Sequence, residues 1–296
     1  MPPEICLGSA QFGLPYGVTN TAGIVDEQEI SFLLSEAASA GLSFVDTAQA
    51  YGESESILGR NKCPGVNYRF ISKFPKQSKT SFSVEDCYRW DKEFQRTLRL
   101  LGVSSLDSFL LHSPKDLLKP GGAFLEQWLL ALRDSGRVKR LGVSIYDATD
   151  LESVPTDLLN LVQLPLSLYD QRLLSDGTIS YLSSQGCAIH ARSIYLQGLL
   201  LTPSGLWPDW IAPSACLHHA RLLQFASEQG CSLIDCALGF ARAQSQLEAV
   251  VIGLCSLRQL KQLLQAWQLN SPWINDDWKR WAIQNPDILD PRRWPR

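Results

Sequence analysis

With 296 residues, 45% of them hydrophobic, the chain has apolar material for one large core or two ordinary ones. Its 27 basic and 30 acidic residues leave a net charge of −3 with no long run of one sign, so nothing in the charge pattern supports nucleic-acid or membrane-surface binding. No apolar run nears the roughly 18 residues of a membrane span, and the opening MPPEICLGSAQFG lacks a leader's basic and apolar segments. The cysteines at 6, 63, 87, 187, 216, 231, 236 and 255 form no C-x-x-C pair. Free thiols in a reducing cytoplasm are expected, with no metal site.

Short apolar runs alternate with longer amphipathic stretches. The first run, ICLGSA (5–10), precedes DEQEISFLLSEAASAG (26–41), a predicted helix capped by Asp26 and stopped at Gly41. SFVDTA (43–48) and RFISKF (69–74) follow as strands. SVEDCYRWDKEFQRTLRLLG (83–102) opens on a capping box, Ser83 with Asp86, and carries Phe94, Leu98 and Leu101 at helical spacing. LDSFLLH (106–112) leads into the helix AFLEQWLLALRDSG (123–136). Strands RLGVSI (140–145), LVQLPLS (161–167) and CAIHARS (187–193) come next, then the helix ACLHHARLLQFASEQG (215–230). AVVIGL (249–254) and the helix SLRQLKQLLQAW (256–267) complete the series.

The strands are nearly continuous in apolar residues, as parallel strands buried on both faces must be. Eight such strands, each followed by a helix, predict an α/β fold: a single-domain (β/α)8 TIM barrel spanning 1–296. A doubly wound open sheet is the alternative, but the G-x-G-x-x-G turn it usually carries is missing. Residues 270–296, with four tryptophans, form a tail predicted to pack over the barrel as short helix and loop.

A barrel's active site lies where its strands end. Four polar side chains fall there: Asp46 closing the second strand, Tyr51 in its loop, Lys73 near the end of the third, and His112 ending the fourth. A lysine inside Ile-Ser-Lys-Phe needs a carboxylate partner, and Asp46 on the adjacent strand is the candidate. An ammonium near a phenol is expected to lower its pKa, so that Tyr51 exchanges a proton near neutrality. His112 would orient a carbonyl oxygen, and a nicotinamide would supply the hydride that such a site lacks.

DTAQAYGESESILG (46–59) resembles the signature Asp-Thr-Ala-x-x-Tyr-Gly-x-Ser-Glu-x-x-Leu-Gly of the aldo/keto reductases. ISKF, LDSFLLHSP, GRVKRLGVSIYD and VIGLCSLRQL are similar to further segments of that family, in order, over about residues 5–269. The resemblance implies a catalytic tetrad of Asp46, Tyr51, Lys73 and His112, with Tyr51 as general acid and base. It implies Ser144 and Gln163 at the nicotinamide carboxamide and Ser193, Leu196 and Gly198 beside the pyrophosphate. Gly253, Ser256, Gln259 and Gln262 would hold the adenosine end. It further implies an extended nicotinamide coenzyme, NADP(H) before NAD(H), and a small-molecule carbonyl substrate. The opening LGSAQFGLPYGVTN looks like a subgroup associated with sugar metabolism, so a sugar-like substrate is one expectation.

The chain departs from the family at several places. Arg192 stands where an aromatic residue often stacks on the nicotinamide, and it is expected either to contact the coenzyme or to pair with a loop carboxylate. Gly253 and Gln259 replace cations that hold a 2′-phosphate, leaving Arg258 to supply one, and Leu263 replaces an asparagine near the adenine. Tyr16 and Trp207 are candidate substrate-pocket residues, with barrel capping and loop anchoring as their respective alternatives; the same alternatives apply to Trp210. His190 is expected to be a satisfied core histidine, and His218 and His219 to lie on the surface. A nicotinamide-binding sensor with little turnover is the rival to an enzyme. A monomer without nucleic-acid or membrane partners is the default.

Overall fold

The computed structural model describes residues 2–269, 272–273 and 277–295. Its strands are β1 (Glu4–Gly8), β2 (Phe44–Asp46), β3 (Arg69–Phe74), β4 (Leu106–Leu111), β5 (Val138–Ser144), β6 (Leu161–Pro165), β7 (Ala188–Arg192) and β8 (Ala249–Gly253). They pair in parallel in chain order and close β8 onto β1, forming the expected eight-stranded barrel. Helices cover the outside, and the main apolar core lies between them and the strands. The Val84–Leu101 helix starts at the expected Ser83–Asp86 capping box and ends at Gly102, whose φ of 62° suits a residue without Cβ.

Alternate side chains enter the barrel, and they fall into layers. At the bottom Arg140 pairs with Asp107 and Glu248, His190 Nε2 lies 2.7 Å from Glu248, and Arg69 pairs with Glu4. The middle is apolar: Cys6, Phe44, Ile71, Leu110, Leu161, Ala249 and Val251 form their own cluster, sealing the ring. One step further along the strands, the inward positions become Asp46, Lys73 and Gln163. That top layer is the floor of the candidate site.

Two expectations need correction. No α-helix follows β5: the connection to β6 holds only the short 3-10 turns Ala148–Leu151 and Thr156–Leu158, because Pro155 removes an N–H and biases the preceding residue away from helix. His219 is wholly buried, not on the surface. Ala215, His219, Leu222 and Ala226 share the buried stripe of the Pro213–Glu228 helix, and His219 Nδ1 lies 2.7 Å from Tyr169 Oη. His218 is partly buried, its Nε2 3.0 Å from the Trp281 carbonyl oxygen.

Of the tail expected over 270–296, residues 270–271, 274–276 and 296 lie outside the described residues. The rest contains the turns Asp277–Trp281 and Pro291–Arg293 and the short helix Pro286–Leu289. Ile283 N–H donates to the Tyr169 carbonyl, and Gln171 donates to the Trp278 carbonyl. These bonds tie the tail to the loop after β6.

Candidate active site

The 46–59 segment explains itself residue by residue. Asp46 ends β2 with its side chain inward. Lys73 Nζ lies 2.7 and 2.6 Å from Asp46 Oδ1 and Oδ2 and donates to the Thr47 carbonyl at 2.9 Å. All three ammonium donors are thus satisfied in a site where both side chains are at most 5% exposed. Gln163 Nε2 donates to Asp46 Oδ1 at 2.7 Å. Thr47, Ser54 and Ser9 join through hydroxyls, and Ser9 Oγ donates to the Asp46 carbonyl. Behind them Glu55 is buried, accepting from Ser72 and Thr97. Burial raises its pKa despite these hydrogen bonds.

Glycine sets the position of Tyr51. A Cβ on Gly13 would sit 1.8 Å from the Tyr51 carbonyl oxygen, and one on Gly52 would sit 2.4 Å from the Gly13 carbonyl oxygen. The tyrosine loop therefore packs backbone to backbone on the short Ala10–Gly13 helix. The ring reaches His112 with centroids 6.0 Å apart at 71°, and Lys73 Nζ is 5.1 Å from the Tyr51 ring centroid. All four tetrad residues thus meet at one rim.

The electrostatics differ from the expectation in one respect. The Tyr51 phenol is pushed well above its ordinary pKa, by burial first and then by the Asp46 carboxylate, with Arg192 opposing. Lys73 is held by Asp46 and does not acidify it. His112 is pushed down to about 3, by burial and then by the Lys73 and Arg192 cations, so its imidazole is neutral at physiological pH.

Asp46 and Tyr51 of the tetrad line a cavity of about 540 Å³; Lys73 and His112 stand behind its wall. Asp46, Tyr51, Gln163 and Arg192 line one region of it, and Gly253, Cys255, Gln259, Gln262 and Leu263 line another, beyond β8. Ser193, Gly198 and Tyr16 also line it. Other expected contacts are absent from the wall. Ser144 is buried in register with Gln163, Leu196 points into the core, and Ser256 caps the Leu257–Gln268 helix by accepting from Gln259 N–H. Arg258 is exposed. Trp207 is buried, its indole N–H donating to the Leu199 and Thr202 carbonyls, so it anchors the loop after β7. Trp210 packs against Trp294 of the tail with ring centroids 5.4 Å apart and planes tilted by 43°. Among the described residues Arg192 makes no ion pair with a loop carboxylate; it donates to the Ile145 carbonyl.

Residues beyond the sequence reading complete the wall. Gln11 lines the cavity with a buried Oε1 that has no hydrogen-bond partner among the described residues, an acceptor open to a donor. Thr19 Oγ1 donates to the Gln197 carbonyl, carrying the loop after β1 across to the loop after β7. That second loop holds Ser193, Leu196 and Gln197 at φ of 62°, 47° and 53°, a concentration of left-handed backbone typical of ligand sites. Gln11 sits in the quoted SAQFG, but nothing in its spacing marks it. A long cavity with a free buried acceptor and glycine at Gly8 and Gly253, where β1 meets β8, suits an extended nicotinamide coenzyme.

The model of the Aldo/keto reductase family matches residues 4–283. The uncharacterized oxidoreductase YtbE of Bacillus subtilis (strain 168) is 28% identical over 196 residues, 60% of this chain and 64% of that protein. The uncharacterized oxidoreductase C28F2.05 of Schizosaccharomyces pombe is 28% identical over 182 residues, 56% and 60% of the two. The chain thus spans less than two thirds of the length of these curated relatives. The solved structure of aldo-keto reductase AKR11C1 from Bacillus halodurans (holo form) superposes with a TM-score of 0.75 over 98% of this chain and 95% of that one, at 18% identity. That likeness is one of fold.

Proposed function

Because this chain belongs to the aldo/keto reductase family, we propose that it reduces an aldehyde or ketone to an alcohol with a nicotinamide coenzyme. The observation that carries the reading is the convergence of Tyr51, His112 and the buried Asp46–Lys73 pair, with Tyr51 and Asp46 in the cavity wall. When bound, the reduced coenzyme supplies the hydride. Tyr51 holds the proton: its raised pKa keeps the phenol protonated through the neutral range, ready to donate to a carbonyl oxygen as negative charge develops there. Neutral His112 donates a hydrogen bond to the same oxygen and orients it. Lys73, fixed by Asp46, holds the end of β3 against the Thr47 carbonyl and so fixes the strand end from which the Tyr51 loop departs.

For the coenzyme, the sequence favours NADP(H) through Arg258. NAD(H) is better supported by the cavity region beyond β8. Glu29 Oε1 accepts from Leu257 N–H at 2.5 Å, so a carboxylate already occupies the start of the helix there. The nearby wall residues Gln259, Gln262 and Leu263 are neutral. A 2′-phosphate in that region would find no cation in the cavity wall, and the Glu29 carboxylate caps the helix behind it.

The test is Tyr51→Phe, assayed with 4-nitrobenzaldehyde by loss of reduced-nicotinamide absorbance and by nucleotide fluorescence titration. Turnover should fall about a thousandfold or more, consistent with loss of a positioned acid, while nucleotide affinity stays within a few-fold. Parental turnover in the phenylalanine variant removes Tyr51 from the proton step.

A further inference from the structure

Tyr146 is held between two guanidinium groups. Arg192, at the end of β7, has its guanidinium carbon 4.2 Å from the ring centroid, and Arg292, in the Pro291–Arg293 turn, has its own at 4.1 Å. The two cations differ in their surroundings. Arg292 Nη2 lies 2.7 Å from Asp290 Oδ2 and 3.3 Å from Asp147 Oδ2, so its charge is met twice. Arg192 has no carboxylate within ion-pair distance among the described residues. Its Nη2 donates to the Ile145 carbonyl at 2.9 Å, and its Nη1 is 3.4 Å from Ser193 Oγ. Two of the guanidinium's five N–H groups are engaged and the others remain for a ligand.

Arg192 lines the cavity and belongs to its reacting end. Its charge reaches both Tyr51 and His112, drawing the phenol's pKa down and the imidazole's down. At that end Lys73 is neutralised by Asp46, while Tyr51 and His112 are uncharged. Arg192 therefore leaves the reacting end with an uncompensated positive charge beside the place where a carbonyl would be held. A planar guanidinium with free N–H edges matches a carboxylate in a two-point pairing.

We propose that the substrate is a carbonyl-bearing carboxylate whose anionic group pairs with Arg192, and that Tyr146, backed by Arg292, is the positioning residue that holds this arginine. The proposal rests on the carbonyl-reductase reading above. The ring fixes one face of the guanidinium, and the tail fixes the far face of the ring. The C-terminal tail thereby acts on substrate choice without entering the cavity.

The test compares 4-carboxybenzaldehyde with its neutral amide, 4-formylbenzamide, two aldehydes of nearly the same shape and different charge. The parent should favour the carboxylate in kcat/KM by about tenfold or more, the usual worth of a hydrogen bond to a charged group. Raised salt should shrink the preference. Arg192→Gln should bring the ratio to about one. Tyr146→Leu should raise KM for the carboxylate more than for the amide, and Tyr146→Phe, which keeps the ring, should restore the ratio. A parent with no preference, or an Arg192→Gln variant that keeps it, overturns the proposal. So does an equal fall for both aldehydes with weakened nucleotide binding, which would assign Arg192 to the coenzyme. Calorimetric titration of both aldehydes into the nucleotide complex separates the two readings. Arg192-dependent binding of the carboxylate without turnover sustains the anion site and overturns the reductase; absence of both overturns the anion site.

Discussion

Replacing Asp46 with asparagine is the sharpest perturbation of the site. The Asp46–Lys73 pair sits at 2.6 Å with side-chain exposures of 5% and 1%. Its net worth is modest, because desolvating two charges offsets most of their attraction. Removing one partner is different, since it strands an ammonium at the top of an apolar plug. That costs about 3–5 kcal/mol. The Thr47 carbonyl still accepts one ammonium N–H, and Gln163 loses a charged acceptor for a neutral one. The double variant Asp46→Asn/Lys73→Met removes the stranded charge and keeps an apolar stem of similar length. It should be more stable than Asp46→Asn alone. Urea unfolding of parent, both single variants and the double variant reads this as midpoint shifts at constant slope. An Asp46→Asn loss below about 1 kcal/mol, or a double variant that loses the sum of both singles, would refute an energetically coupled buried pair.

Further predictions concern protons and the coenzyme. The reduction rate should show no histidine inflection near pH 6.5, since His112 lies near 3, and should stay level until the alkaline range, where the raised Tyr51 pKa is reached. Alcohol oxidation, which needs phenolate, should climb with pH over the same range; a bell centred on neutrality in initial-rate profiles would contradict both. At the barrel floor burial opposes ionisation of Glu248, but hydrogen bonds from His190 and Arg140 prevail and lower its pKa to about 2. The depressed value means that its contribution to stability is full above the ordinary carboxylate pKa near 4.5 and is lost as pH falls towards 2. Glu248→Gln should flatten that part of the acid-unfolding curve followed by circular dichroism. NADH should bind about tenfold tighter than NADPH, equivalent to ~1.4 kcal/mol, and Glu29→Gln should narrow the gap; equal affinities in the parent would remove Glu29 as the discriminator.

Much of the site was legible because it breaks a rule. A lysine and an aspartate at inward positions of apolar strands are tolerated only together, so Lys73 in ISKF points to Asp46 before any fold is known. The glycines of the 46–59 segment carry equally local reasons, each a backbone approach with no room for Cβ. The burial of His219, expected on the surface, was there to be read and was missed: it falls four after Ala215 and three before Leu222 on an apolar stripe. The sign of the Tyr51 shift was not readable. It depends first on how deeply the phenol is buried and then on the Asp46 carboxylate beside it, and both follow only from the folded geometry.

The Arg192–Tyr146–Arg292 stack shows where sequence reasoning stops for a physical reason. Its members come from the end of β7, the loop after β5 and the tail, and no periodicity links them. What brings them together is the barrel order, which sets β5 and β7 on either side of β6, and a tail tied to the loop after β6 by the Ile283 N–H bond to Tyr169 and the Gln171 side-chain bond to the Trp278 carbonyl. A ring between two cations is stable only if at least one charge is met elsewhere, and the chain meets that of Arg292 with Asp290 and Asp147 while leaving Arg192 open. With Asp290 and Asp147 against Arg292, and no carboxylate within ion-pair distance of Arg192 among the described residues, the stack is unevenly compensated across its thickness. A cation so arranged is available to a ligand without being free to collapse onto Asp46, where it would compete with Lys73 for the carboxylate that anchors the site.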